Sequence, residues 1–243
     1  MLDDLFSAQP SPPYLVVLAT MAAALIVVVP RPLWRLARHV ITIAHEGGHA
    51  TAALLSGRRL NGIRLHSDTS GLTVSSGKPT GFGMVLTLLA GYLTPSVVGI
   101  LGGVLLAYGR TRLVLAIALV LLPLMLIMIR NVFGVISVVT TWAVIFAVAW
   151  YTEPTTQGLF AYAAVWFLLL GGVRPVFELN SMRRRGRMPN SDADQLARLT
   201  RVPALVWVGV FLAGAVVALL AGVSLLAEPL IDSVREFQQD NQG

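Results

Sequence analysis

The string His45-Glu46-Gly47-Gly48-His49 sets two imidazoles and a carboxylate at a spacing that metal chemistry uses. On a helix, His45 and His49 stand one turn apart on one face, where both can bind a single zinc ion. Glu46 follows the first histidine and can reach a water on that ion as general base. The flanks, Val40-Ile41-Thr42-Ile43-Ala44 and Ala50-Thr51-Ala52-Ala53-Leu54-Leu55, are apolar apart from two threonines. Ionisable groups at membrane depth are costly and by default mark a functional site. Pattern and setting together imply Zn2+ as cofactor and hydrolysis of a peptide bond within a membrane. Two blander readings use the same residues: a buried hydrogen-bonded cluster, or a structural metal site without chemistry.

A catalytic zinc takes three protein ligands and keeps one position open. Cysteine is absent, so the third donor must be a carboxylate or another histidine. His39 lies a turn and a half before His45 and points elsewhere, while His66 and Asp68 fall in a polar turn. The segment Asn190-Ser191-Asp192-Ala193-Asp194 offers two more carboxylates. With Ser191 as N-cap, Asp194 takes the third helical position of a capping box and turns back onto the Ser191 backbone. Asp192, at the first helical position, is left to face the metal. It is the expected third ligand, with Asp194 and Asp68 as alternatives; the bland reading is that both helix aspartates only complement the helix dipole.

Such a site needs elements to carry it, and the composition names their kind. Hydrophobic residues make up 56% of the chain, charged residues 12%, and mean hydropathy is +0.75. A soluble domain carries about 25% charged residues, so this is an integral membrane protein whose partner is the lipid bilayer. Apolar segments run over residues 14–29, 33–55, 81–108, 113–129, 132–151, 157–173 and 203–227. They predict an all-α polytopic fold, a bundle of six to seven transmembrane helices forming a single domain over 1–243. Asp3 and Asp4 stand where a signal peptide would be positive, so the first segment is read as a retained span. The helix with the histidines spans 33–57, ending at Ser56-Gly57-Arg58-Arg59 with glycine and cations where the dipole favours them. Residues 60–77 then alternate apolar and polar on both sides of a turn at about 67–71, the pattern of a β-hairpin. In the third segment, Leu89-Ala90-Gly91-Tyr92-Leu93-Thr94-Pro95 permits close backbone approach and a kink, as ordinary packing or as part of the site.

The net charge of +6 does not point to nucleic acid, because the arginines cluster between apolar segments, as the positive-inside rule describes. Residues 174–201, with Arg174, Arg183, Arg184, Arg185, Arg187, Arg198 and Arg201, are expected in the cytoplasm as a loop with a short helix before the last span at 203–227. Counting back by pairs of spans places Arg130, and then Arg58, Arg59, Arg64 and Lys78, on the same side, with the metal near it. Arg110 and Arg112 run against this count. Arg31, Arg35 and Arg38 argue that the histidine-bearing helix only half-enters the membrane, and the length of its apolar run argues that it spans.

An HExxH motif in an apolar helix, then a short β-hairpin, then a further apolar helix resembles the site-2-protease family of intramembrane zinc metallopeptidases, best over Val40 to Pro95. The likeness is greatest to compact bacterial members without an inserted PDZ domain. It implies that His45 and His49 bind zinc, that Glu46 activates water, and that the hairpin helps present an extended substrate. That substrate would be a membrane protein with a single-span segment, and the location the bacterial inner membrane. The family's third ligand is the aspartate of an Asp-Gly motif, which this chain lacks. Its Ser191-Asp192-Ala193 string resembles instead a divergent bacterial branch in which such a string precedes the final helix. The competing class is a non-proteolytic membrane protein, a pseudo-peptidase scaffold or a transporter, that keeps a structural metal site. A transporter spreads ionisable residues over several spans, whereas here they centre on one motif. A pseudo-enzyme would most readily have lost Glu46.

Overall fold

A computed structural model describes residues 6–10, 12–186 and 190–226. Asp3, Asp4, Arg187 and the acidic tail from residue 227 onward lie outside the described residues. The order is α1 (Tyr14–Val28), α2 (Arg31–Leu55), β1 (Arg59–Leu65), β2 (Gly71–Ser76), α3 (Phe82–Ala107), α4 (Thr111–Leu126), α5 (Val132–Tyr151), α6 (Pro154–Arg184), α7 (Asp192–Thr200) and α8 (Ala204–Leu226). Each apolar segment becomes a helix, and the hairpin forms as expected.

Among the described residues, fewer helices than six or seven are long and apolar enough to cross a membrane. By length and composition α3, α5, α6 and α8 can each cross a membrane, and α1 with α2 can supply a fifth crossing as one bent pair. That pair turns through 103° between Val28 and Arg31. Pro30 lacks an N–H and disfavours helix at the residue before it, so α1 ends there, and α2 starts afresh with Pro32 in its first turn. Helix α4, of 16 residues, is about 24 Å long at 1.5 Å per residue, short of a hydrocarbon core of about 30 Å. It stops before residue 129 because the chain leaves the helix to pair with β1.

The bend is tied by a polar knot. Arg174 of α6 donates to the Val28 and Val29 carbonyls left open at the end of α1. Its guanidinium lies 4.8 Å over the Trp34 ring and donates to Glu178 at 3.1 Å. Trp34 Nε1 donates to the same carboxylate oxygen at 2.9 Å, and Arg38 pairs with the other at 3.3 Å. Charges at such depth persist when paired and hydrogen-bonded. This knot also explains a departure from expectation: residues 174–184, read as part of a loop, continue α6 past the apolar run as helix.

The core is made by small residues that let helices approach. A Cβ at Gly99 would lie 2.9 Å from Leu169, and one at Gly102 would lie 2.7 Å from Val165. Close approach of this kind drives helix association where lipid competes with any apolar surface. Near the end of α6, Ala193 and Leu196 of α7 are fully buried against Leu88, Val176, Leu179, Val208 and Phe211. Short α7 is thereby fixed to α3, α6 and α8, and its first residue, Asp192, has a defined place.

Strands β1 and β2 pair antiparallel, with a bulge between Leu60 and Gly62. The outer edge of β1 is closed by the segment after α4: Ile63 N–H donates to the Met128 carbonyl at 2.8 Å, and Arg130 N–H to the Ile63 carbonyl at 2.9 Å. The Asn131 side chain adds two bonds to the Leu65 backbone. The outer edge of β2 has no backbone partner among the described residues.

Candidate metal centre

Helix α2 presents His45 and His49 toward α3 and α7. Their Nε2 atoms are 3.0 Å apart. Asp192 Oδ2 lies 3.4 Å from Nε2 of His45 and 3.3 Å from Nε2 of His49. Among the described residues these form the one group of three or more His, Cys, Asp and Glu side chains placed to hold a metal ion. A tetrahedral ion with bonds of 2.0–2.1 Å needs ligand atoms about 3.3 Å apart, so the triangle has the size of a zinc site. Two imidazoles and one carboxylate, with the remaining direction open to a cavity, also match the donor set of a catalytic rather than a closed structural site.

The nearest supports orient these donors. His49 Nδ1 is 2.7 Å from the Thr87 carbonyl, which can only accept, so Nδ1 carries the proton and Nε2 keeps its lone pair for a metal. His45 packs edge-on against Tyr92, with centroids 4.7 Å apart, and Tyr92 stacks on Phe211 at 4.9 Å. Burial pushes the Asp192 carboxyl up, while charge and hydrogen bonds from protonated His49 and His45 pull it well below the usual carboxylate range; a metal on the two Nε2 atoms would supply that charge instead.

Asp194 and Asp68, the alternative ligands, are engaged elsewhere. Ser191 is the N-cap of α7, as expected, and its hydroxyl accepts from Asp194 N–H. The Asp194 carboxylate, however, turns to the Ser191 hydroxyl at 2.5 Å and to Arg183 at 2.7 Å rather than to the Ser191 backbone. Burial pushes that carboxyl up, and the Arg183 and Ser191 hydrogen bonds bring it below its usual value. The guanidinium at the end of α6, four positions past the last apolar contacts, offers a charged partner that a backbone N–H cannot match. Asp68 accepts from the Ser70 hydroxyl at 2.6 Å and its N–H at 3.0 Å, which lower its carboxyl. His66 meets Ser70 in the same turn, and the His39 ring lies against Phe133.

Glu46 is 3% exposed and stands outside the trio. Its Oε2 accepts from the Thr73 hydroxyl at 2.6 Å. A Cβ at Gly71 would lie 2.3 Å from its Oε1, so β2 runs directly over this carboxylate. Thr42, one turn earlier on α2, donates to the Thr69 carbonyl at 2.9 Å and holds the hairpin turn down. The space enclosed by α2, β2, α3 and α7 is a cavity of about 310 Å³, lined by His45, Glu46, His49, Thr73, Tyr92 and Asp192 among others.

One contributor escaped the motif search, Thr73, whose hydroxyl meets Glu46. Of the Leu89–Pro95 stretch, weighed as packing or as part of the site, Gly91 and Tyr92 stand directly against the two histidines. A Cβ at Gly91 would lie 2.4 Å from His49 Nε2 and 2.7 Å from His45 Cε1. Gly91→Ala is therefore expected to push the His49 ring off its position and weaken metal binding about tenfold to a hundredfold, the cost of disturbing a ligand's support. Competition with a fluorescent chelator measures this, and unchanged affinity would show that α3 yields to the methyl group.

The family model described as Peptidase M50B-like matches residues 18–222, which include every residue of this centre. No curated protein and no solved structure matches the chain.

Proposed function

The chain belongs to the Peptidase M50B-like family, one of membrane metallopeptidases, and from that membership and the site geometry we propose that it is an intramembrane zinc protease. It cleaves a peptide bond in or near a transmembrane segment of a membrane-protein substrate. The observation that carries this reading is the convergence of His45, His49 and Asp192 beside a buried Glu46 at a cavity. These three donors would hold the ion. When bound, zinc supplies Lewis acidity: it polarises a peptide carbonyl and makes a proton of water removable near pH 7. Glu46 takes that proton and delivers it to the departing amine. Burial beneath β2 keeps Glu46 from bulk water, so the proton stays within the site.

A helical substrate hides its carbonyls in its own hydrogen bonds, so the reacting stretch must unwind. The unpaired edge of β2, which runs over Glu46, supports docking of that stretch by strand addition. Residues Gly71 and Ser75 on its cavity side are small and leave room for side chains.

Purified protein is expected to hold about one zinc per chain and to cut a fluorogenic peptide of about 20 apolar residues. His45→Ala should lack both properties. A wild-type protein that purifies without zinc and cannot be loaded with it would sink the proposal.

The hairpin, residues 128–131 and α7 meet around the cavity at one end of the bundle, and the arginines of these segments support that end facing the cytoplasm. Single cysteines at Ser76 and Asn190, both exposed, should resist a membrane-impermeant thiol reagent in intact cells and react after lysis. Labelling of either one in intact cells overturns this topology.

A further inference from the structure

Thr73 makes the one hydrogen bond to the Glu46 carboxylate among the described residues. Its hydroxyl has a single proton to give. Glu46 Oε2 is 2.6 Å away and the Glu46 carbonyl 3.2 Å, so the carboxylate takes the stronger bond. As a β-branched residue in a strand, Thr73 has little freedom at χ1, and its hydroxyl is held where it is needed. The other oxygen, Oε1, faces the bare backbone of Gly71 and accepts no hydrogen bond among the described residues.

The hairpin does not depend on this bond for its place. The β1 edge is sealed onto residues 128–131 by two backbone bonds and the Asn131 side chain. Thr42 separately holds the turn through the Thr69 carbonyl. The Thr73 hydroxyl is thus in excess of what docking requires, and it is spent on the side chain that has to be aimed.

We propose that Thr73 is a positioning residue: it pins Oε2 of Glu46 and leaves Oε1 as the oxygen that accepts the proton from water. This rests on the protease reading above. It also makes β2 serve twice, since the strand that offers its free edge to substrate is the one that orients the base. A docked chain would stiffen β2 and with it the Thr73–Glu46 bond.

The test uses the zinc-loaded full chain in detergent and the fluorogenic apolar peptide. Thr73→Val keeps the branched shape and removes the donor; it should lower kcat about tenfold to a hundredfold, as loss of an orienting partner does, with KM and zinc content unchanged. Thr73→Ser, which keeps the donor, should stay within a few-fold of wild type. In a Glu46→Gln background, which binds without cutting, Thr73→Val should leave peptide affinity unchanged by fluorescence anisotropy. A Thr73→Val enzyme with wild-type kcat overturns the inference. So does a loss matched by a fall in peptide affinity or zinc, or one that serine fails to rescue. If Glu46→Gln itself cuts like wild type, or wild type leaves the peptide intact, the protease reading falls and takes this inference with it.

Discussion

Glu46→Gln is expected to keep its zinc and lose cleavage by about 10²- to 10⁴-fold, the range over which a positioned acid–base group acts. Glutamine has nearly the shape of glutamate, and its amide oxygen can still accept from the Thr73 hydroxyl now 2.6 Å from Oε2. The substitution therefore leaves packing at this 3% exposed position almost untouched and removes only the ability to take up a proton. The zinc should stay because Glu46 is not one of the three side chains whose donor atoms converge. Elemental analysis and peptide cleavage on one preparation check both halves. Metal lost along with activity would make Glu46 a ligand, and activity kept would exclude the general-base role.

The second large effect separates two aspartates that lie two positions apart. Asp192→Ala removes one of three converging donors and should lower zinc affinity by at least about a hundredfold, beyond the usual cost of losing a ligand's outer partner. Asp194→Ala leaves the triangle intact. It deletes the acceptor for Arg183 and Ser191, a partly exposed pair, and should cost about 1–2 kcal/mol of stability while zinc stays bound. Chelator competition and thermal denaturation of the two variants report these outcomes side by side. The reverse pattern, or full zinc affinity in both, would remove Asp192 from the ligand set.

Much of the site is legible in the chain because its parts are local. The histidine pair needs only one helical turn, the hairpin only its alternation, and the Ser191 cap only four residues. What the sequence conceals is what distant segments do to one another. Trp34 and Arg38 meet Glu178 across the fold, and nothing in the sequence around Arg174 announces that its guanidinium will close the end of α1. The same holds for α6, which extends past its apolar run because Glu178 must reach α2. Thr73 reads as an ordinary strand residue until β2 is laid over Glu46, and Gly91 reads equally as packing or site until His49 is set against it. The Asp194 carboxylate followed the capping rule in its backbone and broke it in its side chain, because a guanidinium from another helix was the better partner.

The converging side chains come from opposite ends of the chain, His45 and His49 from α2 and Asp192 from α7, with α3 to α6 inserted between them. A ribosome making this protein commits the two histidines to the bilayer long before it has made the aspartate, and α7 finds its seat only against α3, α6 and α8. A partly synthesised or truncated chain therefore has the histidines and Glu46 but no complete centre. Synthesis thus completes the centre late: the third donor can take its place only once α8, made after it, has closed the seat of α7.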